Sequence, residues 1–331
     1  LRPRHHRHPG PLEGPRAVEA LVAEPEEELV VAAEEAGERL DRLLAARAPE
    51  RSRSTIQRWI REGRVEVDGV VATASTRARA GQRVVVRPAP PPPSEAEPED
   101  IPLAILYEDA ELVVLDKPPG LVVHPAPGHA GGTLVNALLH HFGALPGDDA
   151  ARPGIVHRLD SKTSGVMVVA RTPRAREGLM KLFATHDIER AYVAIATGDP
   201  PARITYETLH GRHPTDRKRF SSRVTRGKRA VTHVERLERL HGAALVRCRL
   251  ETGRTHQIRV HLAEHGHPLL GDPMYGRPSK DARVRAAAEA LGRQALHAAV
   301  LGFVHPVTGE ALRFETPPPA DFQQALGSLR G

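Results

Sequence analysis

The chain has 331 residues, 40% of them hydrophobic, and carries 47 Lys and Arg against 41 Asp and Glu, a net charge of +6. That length suits about two domains, and a positive excess favours anionic partners, nucleic acid first. A single cysteine, Cys248, excludes an internal disulfide and a cysteine-based zinc site and suits a reducing cytoplasm. No apolar run approaches the ~20 residues of a membrane span.

Residues 1–35 read as a disordered or extended tail. The first sixteen, LRPRHHRHPGPLEGPR, are basic and rich in Pro and His, with no periodicity and no apolar signal-peptide core. His5, His6 and His8 lie there without a shell to make them a metal site. Residues 17–35 hold seven Glu and no basic residue, and Leu29-Val30-Val31 is a candidate first strand.

Residues 36–87 read as a small domain with twelve Arg against six acidic residues, 12 − 6 = +6. Leu40, Leu43 and Leu44 share one face of a first helix. Ser54 is placed to cap a second, with Ile56 and Ile60 four apart and Gly63 beyond its end. Val65-Glu66-Val67 faces Val70-Val71 across Asp68-Gly69, a strong hairpin turn, and a last strand covers Val84 to Val86. Arg53, Arg58, Arg61 and Arg64 lie on and beside the second helix, where guanidinium groups suit phosphate contacts; a solvated helix face is the alternative. Residues 88–100, PAPPPPSEAEPED, form a stiff, solvated linker.

The remainder, residues 101–331, reads as one large domain. Strands are expected at Leu112 to Leu115 and Leu121 to Val123, separated by an Asp-Lys-Pro-Pro-Gly turn. A Thr133-capped helix follows. In residues 154–171, GIVHRLDSKTSGVMVVAR, two apolar runs flank a polar segment, a strand–loop–strand pattern. A helix is expected over 176–185, a strand over 190–195, a basic loop over 211–229, a strand over 246–250 and a helix from about Thr255 to His265. The irregular order of elements implies an α+β fold with a mixed, largely antiparallel sheet.

Neither standard glycine-rich nucleotide loop is present, nor an HExxH motif. A metal reading would rest on His256, His261, His265 and His267, around which no carboxylate set is evident. What remains is Asp160 at the exit of a loop, a common place for a catalytic side chain and equally for a turn residue. Tyr192 stands at a strand start and Arg259 early in a helix. A carboxylate, a ring and a guanidinium together suit a cofactor-free site acting on a base in RNA, the ring stacking on the base and the carboxylate acting at the sugar. A core tyrosine and a structural ion pair explain the same residues, and both readings stand on local pattern.

Two resemblances bear on the choice. RLDRLL, SRSTIQRWIREGRVEVDG and GQRVVV, over about fifty residues, resemble the S4 RNA-binding domain. HRLDSKTSG and LETGRTHQIRVHLAEHGHPLLGDPMYG resemble the RluA family of RNA pseudouridine synthases, with supporting matches in EDAELVVLDKPPGLVVHP, GTLVNALLHH, GRHPTDR, RQALHA and GFVHP across residues 101–319. The second resemblance implies a pseudouridine synthase fold and isomerisation of uridine to pseudouridine without cofactor or metal. The S4-like domain in front of it implies large-subunit (23S) ribosomal RNA as the partner of a cytoplasmic monomer. It gives Asp160 as the aspartate, nucleophile or base. Tyr192 becomes the active-site tyrosine and Arg259 the basic partner of the aspartate. Ile258 becomes an apolar neighbour in the base pocket, and Arg158 a residue that helps hold the target nucleotide out of its helix. Arg190 stands where many relatives carry Lys, which preserves the charge. A non-catalytic S4-containing RNA-binding or ribosome-assembly factor is the alternative. A nucleoside hydrolase would use similar carboxylate chemistry but leaves the S4-like domain unexplained.

Overall fold

The computed structural model describes residues 26–48, 51, 53–73, 75–89, 96–125, 131–147 and 152–330. The tail over residues 1–25, with its three histidines, and residues 90–95 of the linker lie outside them, as does the side chain of Ser54. The chain divides into two units, residues 1–43 with 57–90 and residues 44–56 with 91–331.

In the first part of the chain, β1 (Glu27–Val30) precedes α1 (Leu40–Arg47), α2 (Arg53–Arg61), β2 (Val65–Val67), β3 (Val70–Val71) and β4 (Arg83–Val86). The four strands form an antiparallel sheet in the order β1-β4-β2-β3. The acidic segment ahead of residue 36 therefore contributes a strand. Charge holds it there, since Arg83 pairs with Glu28 and Arg87 bridges Glu26 at 2.9 Å and Glu66 at 2.6 Å. Asp68 (φ 50°) and Gly69 (φ 78°) both adopt the positive φ that a two-residue hairpin turn requires.

The large unit contains β5 (Ile105–Glu108), β6 (Leu112–Lys117), α3 (Leu134–Phe142), β7 (Ser164–Ala170), α4 (Pro173–Thr185), β8 (Glu189–Thr197), β9 (Arg203–Arg212), β10 (Phe220–Ser221), β11 (Lys228–Leu240), β12 (Ala243–Leu250), α5 (Gln257–Glu264), α6 (Ala282–Leu291), β13 (Leu296–Val304), β14 (Ala311–Glu315) and α7 (Ala320–Arg330). Among the described residues these strands make one ten-stranded sheet, ordered β10-β9-β11-β12-β8-β13-β7-β6-β5, with β14 on β13. Only the β13–β7 pair is parallel, so the sheet is mixed and largely antiparallel, as expected. The apolar run from Val166 to Ala170 is fully buried because helices and loops cover both sides of β7. Gly165 (φ 121°) lies where β7 meets β13, and a side chain there would collide with the Ala298 backbone.

Three expectations need correction. Leu121 to Val123 forms no strand. The Lys117 ammonium gathers the carbonyls of Pro118 and Leu121 around itself at 2.8 and 2.9 Å, and the Val122 and Val123 carbonyls accept from the N-terminus of α3. The run before Asp160 is no strand either: Ile155 makes a single bridge to Val169, and the next ladder position is taken by a side chain, His157 Nε2 accepting from the Val168 amide at 3.1 Å. The basic loop over 211–229 is partly ordered as a hairpin arm, with β10 pairing back on the end of β9. The Thr133 cap forms as expected, with Asn136 Oδ1 accepting from the Thr133 amide at 3.0 Å to close a capping box.

Candidate active site

Asp160 stands on the loop between the Ile155 bridge and β7. Charged and amide side chains hold that loop by its backbone. Lys117, fully buried, donates to the Ser161 carbonyl at 2.9 Å as its third acceptor, beside the Gly120 amide at 2.9 Å. Arg293 donates to the Lys162 carbonyl at 3.1 Å while its fork grips Asp321 at 2.6 and 2.8 Å. Gln294 donates to Thr163 Oγ1 at 3.1 Å. Three carbonyl acceptors use all three protons of an ammonium; burial nevertheless lowers the Lys117 pKa to about 7, with the Asp160 charge opposing that fall.

Arg259 reaches Asp160 from α5. Gln257 sets the start of that helix, accepting from the Arg254 amide at 3.0 Å and donating to the Val231 carbonyl at 3.0 Å. Arg259 Nη1 then donates to Asp160 Oδ2 at 2.8 Å. Its other edge is a fork onto Asp272, Nε to Oδ2 at 2.8 Å and Nη2 to Oδ1 at 2.9 Å. Asp272 is fully buried and also accepts from the Met274 and Tyr275 amides at 2.9 and 3.0 Å. Burial opposes both charges. The Asp272 hydrogen bonds still hold the Arg259 guanidinium above its ordinary pKa, and Arg259 holds the Asp272 carboxyl below its own. On the second oxygen of Asp160, His256 Nε2 stands 3.7 Å from Oδ1.

Two hollows meet at Asp160 and share Arg158, Leu159, His256 and Arg259. One is walled by Tyr192, Leu250, Ile258 and Leu296, the other by Val122, His124, Lys162, Met274 and Gln294. Tyr192 projects from β8 with its ring half-buried, and its hydroxyl makes no hydrogen bond with the described residues. Burial pushes that hydroxyl up to about 12, with Arg190 acting against it and Asp160 with it, so the phenol keeps its proton at neutral pH. Ile258 is buried and packs beside Cys248 and Val246. Arg158 is exposed, and its Nη1 rests 3.4 Å from His124 Nε2.

The structure thus brings Asp160, Tyr192, Arg259, Arg158 and Ile258 together around one hollow. The arginines of the small domain are not equivalent to one another. Arg53, Arg61 and Arg64 are exposed, Arg64 pairing with Glu62 at 3.1 Å, whereas Arg58 is 12% exposed, paired with the same Glu62 at 3.6 Å and donating to the Ala89 carbonyl at 3.3 Å. Arg58 is spent on its own fold, which weakens its case as a phosphate ligand. The four histidines weighed as metal ligands serve separate partners. His261 bonds Thr208 and Thr232, each at 2.9 Å, with burial lowering its pKa to about 4; His265 bonds the His261 carbonyl, and His267 the Thr197 carbonyl. Sequence reading passed over Lys117, Asp272, Arg293 and Gln294, and weighed His256 as a metal ligand alone. A lysine ending the apolar run LVVLDK and an aspartate between Gly271 and Pro273 were the available signals.

A family model for RNA pseudouridylate synthase matches residues 111–264, and one for the S4 domain matches residues 38–84. A relative named ribosomal large subunit pseudouridine synthase D, from Xanthomonas campestris pv. campestris, is 45% identical over 303 residues, covering 89% of this chain and 90% of the relative. An uncharacterized RNA pseudouridine synthase of Bacillus subtilis is 42% identical over 306 residues, covering 92% of this chain and 98% of its own. The solved structure of human RNA pseudouridylate synthase domain containing 4 is 29% identical with a TM-score of 0.51, covering 68% of this chain and 92% of that one. With the fold and relatives that match over most of the chain in agreement, this chain belongs to the RNA pseudouridylate synthase family and is an isomerase with an S4 domain ahead of its synthase domain.

Proposed function

We propose that this enzyme converts specific uridines of large-subunit (23S) ribosomal RNA to pseudouridine, with Asp160 as the group that acts on the nucleotide. The observation that carries the reading is the Asp160–Arg259 contact of 2.8 Å at the floor of a pocket walled by Tyr192. The substrate class follows the relatives named for the large ribosomal subunit, one of which shares 45% of its residues with this chain.

Arg259, itself fixed by Asp272, holds the carboxylate at one oxygen and leaves the other turned toward the pocket. The target nucleotide must leave its helix for its reacting atoms to be reached. Arg158, exposed at the pocket rim, helps hold it out, and the base lies on Tyr192 with Ile258 beside it. The N-glycosidic bond to N1 breaks, the uracil turns, and C5 bonds to the same sugar carbon. The proton on C5 is lost and N1 gains one, so atoms and electrons balance without an oxidant or reductant, and no cofactor is assigned. Asp160 serves as nucleophile or base in this sequence. The S4 domain supplies phosphate contacts through the exposed Arg53, Arg61 and Arg64. The protein is taken to act in the cytoplasm as a monomer; no helix among the described residues is long and apolar enough to cross a membrane.

The test is Asp160→Asn in purified enzyme with an rRNA transcript. Pseudouridine formation is expected to disappear while RNA affinity stays within about threefold, since one neutralised carboxylate changes the phosphate contacts little. A variant that still forms pseudouridine refutes the assignment. Deleting residues 36–87 is expected to weaken RNA binding and flatten its salt dependence; an unchanged slope removes the S4 domain from the phosphate contacts.

A further inference from the structure

The two oxygens of Asp160 are not equivalent. Arg259 occupies Oδ2, whereas the Nε2 edge of His256 stands 3.7 Å from Oδ1. His256 has φ 60°, one of three described non-glycine residues at positive φ, a conformation most side chains avoid unless their surroundings impose it. Here the surroundings are specific. His256 Nδ1 lies 2.9 Å from Tyr275 Oη, and Tyr275 Oη accepts from the Phe220 amide at 2.9 Å. The rings of Phe220 and Tyr275 stand edge-on to the imidazole, with centroids 5.7 and 5.6 Å away.

The contact with Tyr275 Oη admits either tautomer, and the Asp160 carboxylate 3.7 Å from Nε2 selects the one with its proton on Nε2, Tyr275 Oη then donating to Nδ1. A neutral imidazole that accepts at Nδ1 carries its proton on Nε2. Burial favours the neutral form, opposed by Asp160, while Arg259 and Arg158 favour it and Asp272 opposes it. The Nε2–H therefore points toward the side of Asp160 that Arg259 leaves open. A separation of 3.7 Å exceeds a hydrogen bond, and such contacts commonly tighten when substrate binds. The far end of the chain, Phe220, belongs to the basic arm, where Arg212 lies 4.5 Å above the Phe220 ring and Arg219 lies 5.1 Å above that of Tyr275.

We infer that His256 is a positioning residue that holds Asp160 through Oδ1, and that Tyr275 and Phe220 tie its orientation to the basic arm. The inference rests on the reading of Asp160 as the acting group. It places the carboxylate between two donors, so that its plane is set before the sugar arrives.

The experiment compares His256→Asn with His256→Gln in the full chain on an rRNA transcript. Asn tolerates positive φ but is too short to reach Oδ1, while the Gln amide can restore a donor near the Nε2 position. His256→Asn is expected to lower kcat by on the order of 10²-fold with KM within about threefold, as misplacement of a reacting group does. His256→Gln is expected to recover about tenfold of that loss. Asn turning over within about twofold of the parent, a loss confined to KM, or Gln no better than Asn overturns the inference. Asp160→Asn run alongside separates the failures. If Asp160→Asn is active, the underlying reading is lost; if it is inactive while His256→Asn is normal, only the role of His256 is lost.

Discussion

The Asp160 loop, residues 157–163, and the basic arm, residues 211–228, are both polar and both adjoin strands of one sheet, but they are held in opposite ways. In the loop, backbone groups from Ser161 to Gly165 meet buried donors or a neighbouring strand, and the holding side chains, Lys117, Arg293 and Gln294, are themselves buried. In the arm the anchors gather around β10. Glu264 accepts from Ser221 Oγ at 2.7 Å and from the Ser222 amide at 2.9 Å, while Pro214 to Lys218 and Thr225 to Lys228 are exposed. Of its cations, Arg212 and Arg219 lie over rings, Arg223 donates to the Glu264 carbonyl, and Arg217, Lys218, Arg226 and Lys228 are exposed. One region holds a single carboxylate; the other presents exposed charge at its tips. Chemistry needs the first, and recognition of an RNA shape suits the second.

Substitutions in each region test this contrast. The largest stability effect is expected from Asp272→Ala. It leaves the Arg259 guanidinium buried with half its partners, a loss of about 3–5 kcal/mol for a broken buried pair, read as a lower midpoint in denaturant together with lost turnover. Next is Arg293→Ala. It frees the Lys162 carbonyl and the Asp321 carboxylate, and is expected to cost about 1–3 kcal/mol and to lower kcat more than KM. A change in KM alone would show that the loop is held without Arg293.

The third test is a pH dependence. The Lys117 pKa is about 7 in the folded protein against an ordinary 10.5. Between those values the unfolded chain binds more protons, so stability contributed by this group rises with pH through that window and is lost as pH falls through about 7. Turnover moves the other way, because the neutral amine has too few protons for its three carbonyls. Lys117→Met is expected to remove both slopes; melts and kcat over the same pH range would show it. The smallest effect is expected in the arm. Arg217→Ala with Lys218→Ala should change stability by no more than about 0.5 kcal/mol, yet weaken RNA binding and reduce its salt slope by about one unit per lost phosphate contact.

The same contrast explains what the sequence could reveal. The Thr133 cap, the Asp68-Gly69 turn, α4 and β8 are specified by neighbours in the chain, and local pattern suffices for them. Leu121 to Val123 and Gly154 to Val156 have the composition of strands but lose their ladders, the first to the Lys117 ammonium and the amides that open α3, the second to the His157 imidazole. Such side-chain capture of backbone groups leaves no periodic trace. Asp160 and Arg259 are separated by 99 positions, and spacing alone could not join them; the family resemblance did. Asp272 reaches Asp160 through Arg259, and His256 was weighed as a metal ligand, so a search for reactive side chains joined neither to the carboxylate. Arg58 was grouped with its neighbours by composition, and only the fold distinguishes a paired, half-buried arginine from an exposed one.

The most direct measurement of the central claim is nucleotide-resolution chemical mapping of pseudouridine in the ribosomal RNA of cells lacking this gene, complemented with the parent chain or with Asp160→Asn. A defined set of large-subunit positions is expected to lose pseudouridine on deletion, regain it with the parent and stay unmodified with the variant. Restoration by Asp160→Asn, or loss confined to RNA outside the large subunit, would contradict it.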